Sequence, residues 1–232
     1  MNIFKKFNDW YMGNNERETE PPRSGLPRIA YLLINYTGRI VAVNMLFLLC
    51  SIPLITAPAA LMALNRYLIK MYRDGYAFDM EDYFKEFKSE LFRALPLGLI
   101  SLSLTFYGYY LASLALNYAG SEISMILTVI GSAFIINGLL FSAYAFVMGA
   151  MLDLNLAGII RNSFLFILIE WRSNVKIALT YIVFLFLTLT FLPFSFIPLL
   201  LFAFSLLQLF IISAVNRSVE KRILSIFKTS GT

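Results

Sequence analysis

The chain has 232 residues, of which 59% are hydrophobic and only 14% are charged, and its mean hydropathy is +0.73. Soluble domains carry about a quarter charged residues, so this composition excludes an ordinary soluble domain and predicts an integral membrane protein. The net charge of +5 on so apolar a chain favours the anionic surface of a lipid bilayer over nucleic acid as a partner. The chain contains no histidine, which removes the commonest general base and metal ligand.

The N-terminal segment, residues 1–27, is predicted to lie at the membrane interface and to end in a linker. Residues 1–12 place apolar side chains near one helical face, which is typical of a short helix on a membrane surface. These side chains are Ile3, Phe4, Phe7, Trp10 and Tyr11. Residues 13–27 are polar and proline-rich and are interpreted as a connector.

Residues 28–73 are predicted to form a membrane element that is broken by proline. The part from Ile40 to Leu64 has no charge and is long enough to cross a bilayer at about 1.5 Å per residue. Pro53 and Pro58 each remove a backbone donor, which predicts a discontinuity over 51–58. The element is either one kinked span or a helical hairpin that turns back at the prolines.

The polar and proline residues around this break form the candidate site. Backbone groups freed at membrane depth must be satisfied by neighbouring protein or by a polar cavity, and buried side-chain amides also need partners. The same groups can serve as contacts between helices or as a ligand site, and contacts between helices are the favoured interpretation. The site consists of Asn44, Ser51, Pro53, Thr56, Pro58, Asn65 and Arg66.

Residues 79–93 are predicted to form a separate amphipathic helix, on the membrane surface or against the bundle. Apolar residues recur at helical spacing, while Glu86 and Glu90 alternate with Lys85 and Lys88 on the other side. We interpret these charges as a solvated face and not as a metal site. No phosphate-binding glycine loop, zinc-ligand spacing or nucleophile elbow is present, so neither a cofactor, a metal nor an enzymatic activity is predicted.

Four uncharged runs predict clean spans at 95–118, 123–152, 177–192 and 196–215. Residues 153–176 are interpreted as a helical connector with Trp171 at the headgroup level, and 216–232 as a basic cytoplasmic tail. Small residues in the second run share one helical face, which indicates close packing against another helix. This glycine seam consists of Gly131, Gly138, Ser142, Ala145 and Gly149. A partner helix in the same chain is favoured over a dimer, because the bundle needs such a seam in any case.

The lysines and arginines fall only in 1–39, 65–94, 153–176 and 216–232. The positive-inside rule therefore predicts that the last three segments, including the C-terminus, are cytoplasmic. A single crossing at 40–64 would place the N-terminal charges outside, whereas a hairpin would keep every basic residue inside. This distribution favours the hairpin but leaves the side of the N-terminus open.

Residues 44–60, followed by 82–88, resemble the YesL-like family of small bacterial membrane proteins, a domain of unknown function. Asn44, Pro53, Thr56 and Pro58 match the family's Asn-Leu-Leu start and its Pro-x-x-Thr-x-Gly-Pro centre, although Ala57 stands where the family has glycine. The aromatic helix motif is matched by Phe84, Phe87 and Lys88. The resemblance covers 44–90.

What the resemblance implies is a multi-pass protein of the bacterial cytoplasmic membrane with no established activity. Because such proteins are often encoded beside carbohydrate permeases, it also implies an accessory role in carbohydrate uptake, with a permease as a possible partner.

Taken together, these patterns predict an all-α polytopic transmembrane bundle with four clean spans, a Pro-broken membrane element and amphipathic interfacial helices. We expect a non-enzymatic accessory factor. The alternative is a small transporter or channel whose site is the broken helix around Ser51–Pro58. The oligomeric state stays open.

Overall fold

The computed structural model describes residues 22, 24–75, 79–152, 154–192, 194, 196–219 and 222. These residues form helices and turns and contain no strand. The predicted interfacial helix at 1–12 and most of the predicted tail at 216–232 lie outside the described residues, as does Pro193.

The main helices of the described part follow one another along the chain with short connections. They are α1 (Leu26–Ser51), α2 (Ala57–Asp74), α3 (Met80–Ala115), α4 (Glu122–Met151), α5 (Leu156–Ile169), α6 (Trp171–Thr190) and α7 (Phe204–Val219). A 3-10 turn, Leu54–Thr56, joins α1 to α2, and a second one, Leu116–Tyr118, follows α3. One helical turn, Phe196–Pro198, and a π-helical turn, Leu199–Ala203, lead into α7.

The helices α1 and α2 form a hairpin. Pro58 lies in the first turn of α2, where backbone N–H groups have no partner within the helix, so a proline costs no hydrogen bond there. At the other end of α2, Gly75 adopts a left-handed conformation (φ 86°) that ends the helix. The start of α1 meets the end of α2, because the Gly25 N–H donates to the Tyr72 hydroxyl (2.8 Å) and Arg28 Nε donates to the Tyr72 carbonyl (2.6 Å). The chain therefore turns back at 52–56 and does not run straight past the prolines.

The helix α2 lies in the centre of the bundle, against α1, α3, α4 and α7. Its apolar side chains, including Met62, Leu64, Leu68 and Met71, are fully buried. In contrast, the turn before it exposes Ile52, Leu54 and Ile55, and Leu54 is 85% exposed. Neighbouring helices therefore surround α2, while the apolar turn before it is exposed.

The helix α3 is a single element of 36 residues, about 54 Å long. The prediction of a surface helix at 79–93 separate from a span at 95–118 is therefore wrong. The helix continues through Pro96 because Ala94 and Leu97, on either side of it, are buried in the same apolar cluster. Packing on both sides outweighs the hydrogen bond that the proline removes.

The other predicted spans differ from the helices mainly at their ends. The run at 123–152 corresponds to α4, and the run at 177–192 begins earlier, at Trp171. Five helices in the described part are long and apolar enough to cross a membrane: Leu26–Ser51, Met80–Tyr118, Glu122–Met151, Trp171–Thr190 and Leu200–Val219. This all-helical architecture is consistent with a membrane protein.

Candidate functional site

Asn44 joins α1 to the π-helical turn before α7. Its side chain is fully buried, its Nδ2 donates to the Leu200 carbonyl (2.7 Å), and its Oδ1 accepts from the Ser205 N–H (2.9 Å). Leu200 and Ser205 are five residues apart, which is the spacing that a π-helix bonds directly. The asparagine amide thus satisfies backbone groups at an irregular turn, so it has a structural partner and is not aimed at an open site.

Thr56 closes the turn between α1 and α2. Its hydroxyl oxygen lies 2.6 Å from the Cys50 carbonyl, an acceptor in the last turn of α1, and 2.7 Å from the Pro53 carbonyl, which also accepts the Thr56 N–H (2.9 Å). Ser51, in contrast, has a buried hydroxyl oxygen with no hydrogen-bond partner among the described residues. The freed backbone at the break is therefore bonded mainly within its own turn.

Pro58 packs directly on α3. A Cβ atom added at Gly98 would lie 2.3 Å from Cγ of Pro58, so only glycine leaves room for the proline ring at that place. Pro53 is exposed in the turn. The two prolines thus do different things: Pro53 ends the first half of the hairpin, and Pro58 fastens the second half to its neighbour.

Asn65 is also fully buried, and it bonds within its own helix. Its Nδ2 donates to the Leu61 carbonyl (3.0 Å), while its Oδ1 has no hydrogen-bond partner among the described residues. Arg66, the next residue, points instead into a set of charged side chains.

These charged side chains form an ionic cluster between α2 and α3, made of Arg66, Lys70, Glu86, Glu90 and Arg93. Arg66 reaches Glu86 at 2.5 Å and Glu90 at 2.8 Å, and Arg93 reaches the same Glu90 oxygen at 3.0 Å. Lys70 lies 3.3 Å from Glu86. Two carboxylates thus hold three cations, with charge-assisted hydrogen bonds that also fix the side chains in direction.

The ionic cluster also reaches the ends of other helices. Arg93 donates to the Leu154 carbonyl (2.7 Å), in the connection between α4 and α5, and Arg66 lies 3.5 Å from the Gly149 carbonyl near the end of α4. A second atom of Glu90, its Oε2, and Nε of Arg66 are buried without a hydrogen-bond partner in the described part. The cluster therefore connects α2 and α3 with the end of α4 and with the connection that follows it, at one end of the bundle.

The interpretation of Glu86 and Glu90 as part of a solvated face is wrong, because the Glu90 side chain is only 3% exposed and that of Glu86 is 20% exposed. One signal in the sequence points to the correct pairing. Arg66 and Lys70 are four residues apart on α2, and Glu86 and Glu90 are four apart on α3, so each helix presents two like charges on one face. Such matched pairs of opposite sign predict that the two faces meet.

The glycine seam of α4 packs on α3 and α2. A Cβ at Gly131 would lie 2.7 Å from the Gly108 carbonyl oxygen of α3, and one at Gly138 would lie 2.4 Å from the Thr105 hydroxyl. Gly149 faces Met62 of α2. Ala145 is buried in the same cluster as Met62, and Ser142 is half-buried. The seam thus lies against helices of the same chain.

The seven residues of the predicted site are not brought together around one cavity. Asn44 faces the turn before α7, Thr56 and Ser51 lie at the hairpin turn, Pro58 packs on α3, and Arg66 belongs to the ionic cluster. The two cavities between α6 and α7 are lined by none of the seven. No group of three or more cysteine, aspartate or glutamate side chains in the described residues is placed to hold a metal ion.

Residues 40–110 match the family model described as "Protein of unknown function, DUF624". The match covers part of the 232-residue chain: most of the hairpin, the ionic cluster and most of α3. It is consistent with the YesL-like resemblance of 44–90 and supplies no activity. No curated protein and no solved structure matches this chain.

Proposed function

We propose that this chain is a non-enzymatic protein of the bacterial cytoplasmic membrane that acts by binding another integral membrane protein. The observation that carries the proposal is a second face of small side chains on α4, distinct from the glycine seam. Thr128 and Ser132, one helical turn apart, form this outer face, and both are exposed. Small side chains let a second helix approach closely. Within a bilayer such close packing drives helix association, because no hydrophobic force brings helices together there.

The surroundings of the outer face support the same proposal. In the apolar windows of α3 and α4 only 11% and 17% of the residues are buried inside the chain, compared with 50% in α1. These two helices pack on each other along the glycine seam, and the N-terminal half of α4 exposes large apolar side chains on its other side, among them Met125, Val129 and Ile136. The resemblance of 44–90 extends the proposal to an accessory role in carbohydrate uptake, with a permease as the partner.

Co-purification tests this proposal. The full chain, carrying an affinity tag, is expressed together with a carbohydrate permease encoded beside it. Both are solubilised in a mild detergent, and the amount of permease retained with the tagged chain is measured. We expect retention by the natural sequence and its loss in the variant Thr128→Leu/Ser132→Leu, because two bulky side chains block the close approach. Thr190→Leu, an exposed threonine at the end of α6, is the matched control and should keep the permease. Equal retention by both variants would contradict the proposed surface.

A transport function makes a different forecast. Liposomes that contain this chain alone would then show sugar or ion flux, and Thr56→Val would abolish it. We expect no flux, because Asn44 and Thr56 are bonded to the chain's own backbone. Flux by the purified chain would favour the transporter over the accessory protein.

The proposed orientation places both ends of the chain in the cytoplasm. The hairpin brings the start of α1 to the end of α2, and Arg73 of α2 lies 3.4 Å from Asn216 near the end of α7. Basic residues are absent between Ala94 and Ile160 and between Ile177 and Asn216, so the basic segments gather at this end of the bundle. The positive-inside rule assigns such an end to the cytoplasm.

Reporter fusions measure this orientation directly. Green fluorescent protein fused before Met1 or after Thr232 should fluoresce, and alkaline phosphatase inserted after Gly120, between α3 and α4, should be active. A dark fusion at Met1 beside a fluorescent one at Thr232 would refute the return of the chain through α2.

A further inference from the structure

An open groove of about 560 Å³ runs between α6 and α7, with the start of α1 at one end of it. On α6 its lining residues lie on one helical face, at Lys176, Thr180, Val183 and Leu187. On α7 they are again spaced by helical turns, at Leu206, Phe210 and Ser213. The groove is therefore the furrow between two helices that lie side by side without filling the space between them.

A second cavity, of about 370 Å³, extends the groove toward the far end of α6. It shares Phe184, Leu187 and Leu206 with the first and reaches Phe191. From Lys176 to Phe191 a helix rises about 22 Å. One leaflet of a bilayer has a hydrocarbon depth of about 15 Å, half of the 30 Å core. The groove is long enough to hold an extended acyl chain from one leaflet.

The polar groups of the groove are concentrated at one end. Lys176 lies there, exposed, together with Ser213, whose hydroxyl is within 3.2 Å of the Tyr72 hydroxyl. The middle and the far end are lined by leucine, valine, phenylalanine and proline, and the hydroxyls of Thr180 and Thr188 donate to carbonyls of their own helix. An amphiphile with a polar head and one long apolar tail has its polar and apolar groups arranged in the same order.

The positive charge of Lys176 at the polar end of the groove favours a lipid with an anionic headgroup. Among the described residues no carboxylate lies within ion-pair distance of Lys176. Arg172 lies one turn earlier on α6, near the Trp171 ring (5.6 Å). Basic side chains and tryptophan at one level are typical of the headgroup region of a membrane.

We propose that this groove binds one phospholipid with an anionic headgroup, with an acyl chain along α6 and α7 and the phosphate at Lys176. A bound acyl chain fills space that the side chains of α6 leave open, so the lipid completes the packing of α6 on the bundle. The site is independent of the proposed partner surface, because it lies on other helices.

Lipid retention tests the proposal. The full chain is reconstituted in vesicles of phosphatidylcholine with one tenth phosphatidylglycerol, extracted in mild detergent, and the bound lipids are identified by native mass spectrometry. We expect one phosphatidylglycerol per chain, enriched over its share in the vesicle. Lys176→Gln should lower this enrichment about fivefold, the effect of one basic residue at a membrane surface. Lys88→Gln, an exposed lysine of α3 outside the groove, should leave the enrichment unchanged.

A second pair of variants tests the position of the tail. Val183→Trp fills the groove and should remove the bound lipid, whereas Val175→Trp, on an exposed part of the same helix outside the groove, should keep it. Because both valines are exposed, both variants should fold, and unchanged melting curves check this. Equal lipid retention by the two variants, no preference for phosphatidylglycerol, or a polypeptide displaced by Val183→Trp in place of a lipid would each overturn the proposal.

Discussion

Glu90→Ala is expected to lower the free energy of unfolding by about 3–5 kcal/mol, the cost of breaking a buried ion pair on one side. The Glu90 side chain is 3% exposed and accepts hydrogen bonds from Arg66 and Arg93 through the same oxygen. Without it, one carboxylate, Glu86, is left to balance the three cations of the ionic cluster. Unfolding in mixed micelles with increasing dodecyl sulfate measures the change.

Two further variants make this result specific. Glu81→Ala removes a carboxylate that is 87% exposed and 4.0 Å from Lys85, and we expect less than about 1 kcal/mol for it. The double variant Arg66→Met/Glu90→Met removes both charges and should recover much of the stability lost in Glu90→Ala, since apolar residues can replace a buried pair. If Glu90→Ala unfolds at the same detergent fraction as Glu81→Ala, the ionic cluster does not stabilise the bundle.

Gly131→Leu is expected to destabilise the pairing of α3 and α4 by about 3 kcal/mol, the upper end of the range for overpacking. A Cβ at this position would lie 2.7 Å from the Gly108 carbonyl oxygen and 2.9 Å from the Ala112 nitrogen. Both are backbone atoms, so the clash cannot be relieved by rotating a side chain and the helices must move apart.

The control for this substitution lies two residues along the same helix. Ala133→Leu places the same side chain on the exposed side of α4, where we expect little change in detergent. The melting temperatures of the two variants are compared by the loss of helical circular dichroism. Identical values would mean that the close approach of α3 and α4 is not needed for stability.

The sequence predicted the parts of this fold that depend on local patterns. Charge-free runs located the apolar segments, the spacing of Gly131, Gly138 and Gly149 marked the close helix contact, and Pro53 and Pro58 marked the turn. Each of these signals acts within one helix or one turn, so it can be read from neighbouring residues.

The parts that depend on contacts between distant residues were missed. The helix α3 continues through Pro96 because Ala94 and Leu97 pack against other elements. The pattern of neighbouring residues contains no information about these contacts. Glu90 was assigned to a solvated face because its partner Arg66 lies 24 residues earlier in the chain. Asn44 was recognised as a polar residue in need of a partner, but that partner, at Leu200 and Ser205, is separated from it by most of the chain.

The position of α2 has a consequence for biogenesis. In the translocon a segment is admitted to lipid on its own hydrophobicity, and a lysine, arginine or aspartate at its centre costs about 2.5–3.5 kcal/mol. With Arg66 near its centre and Lys70, Arg73 and Asp74 toward its end, α2 is a poor candidate for insertion by itself. Its counter-charges, Glu86 and Glu90, leave the ribosome later. We therefore expect the hairpin of α1 and α2 to complete its packing only after α3 has been synthesised.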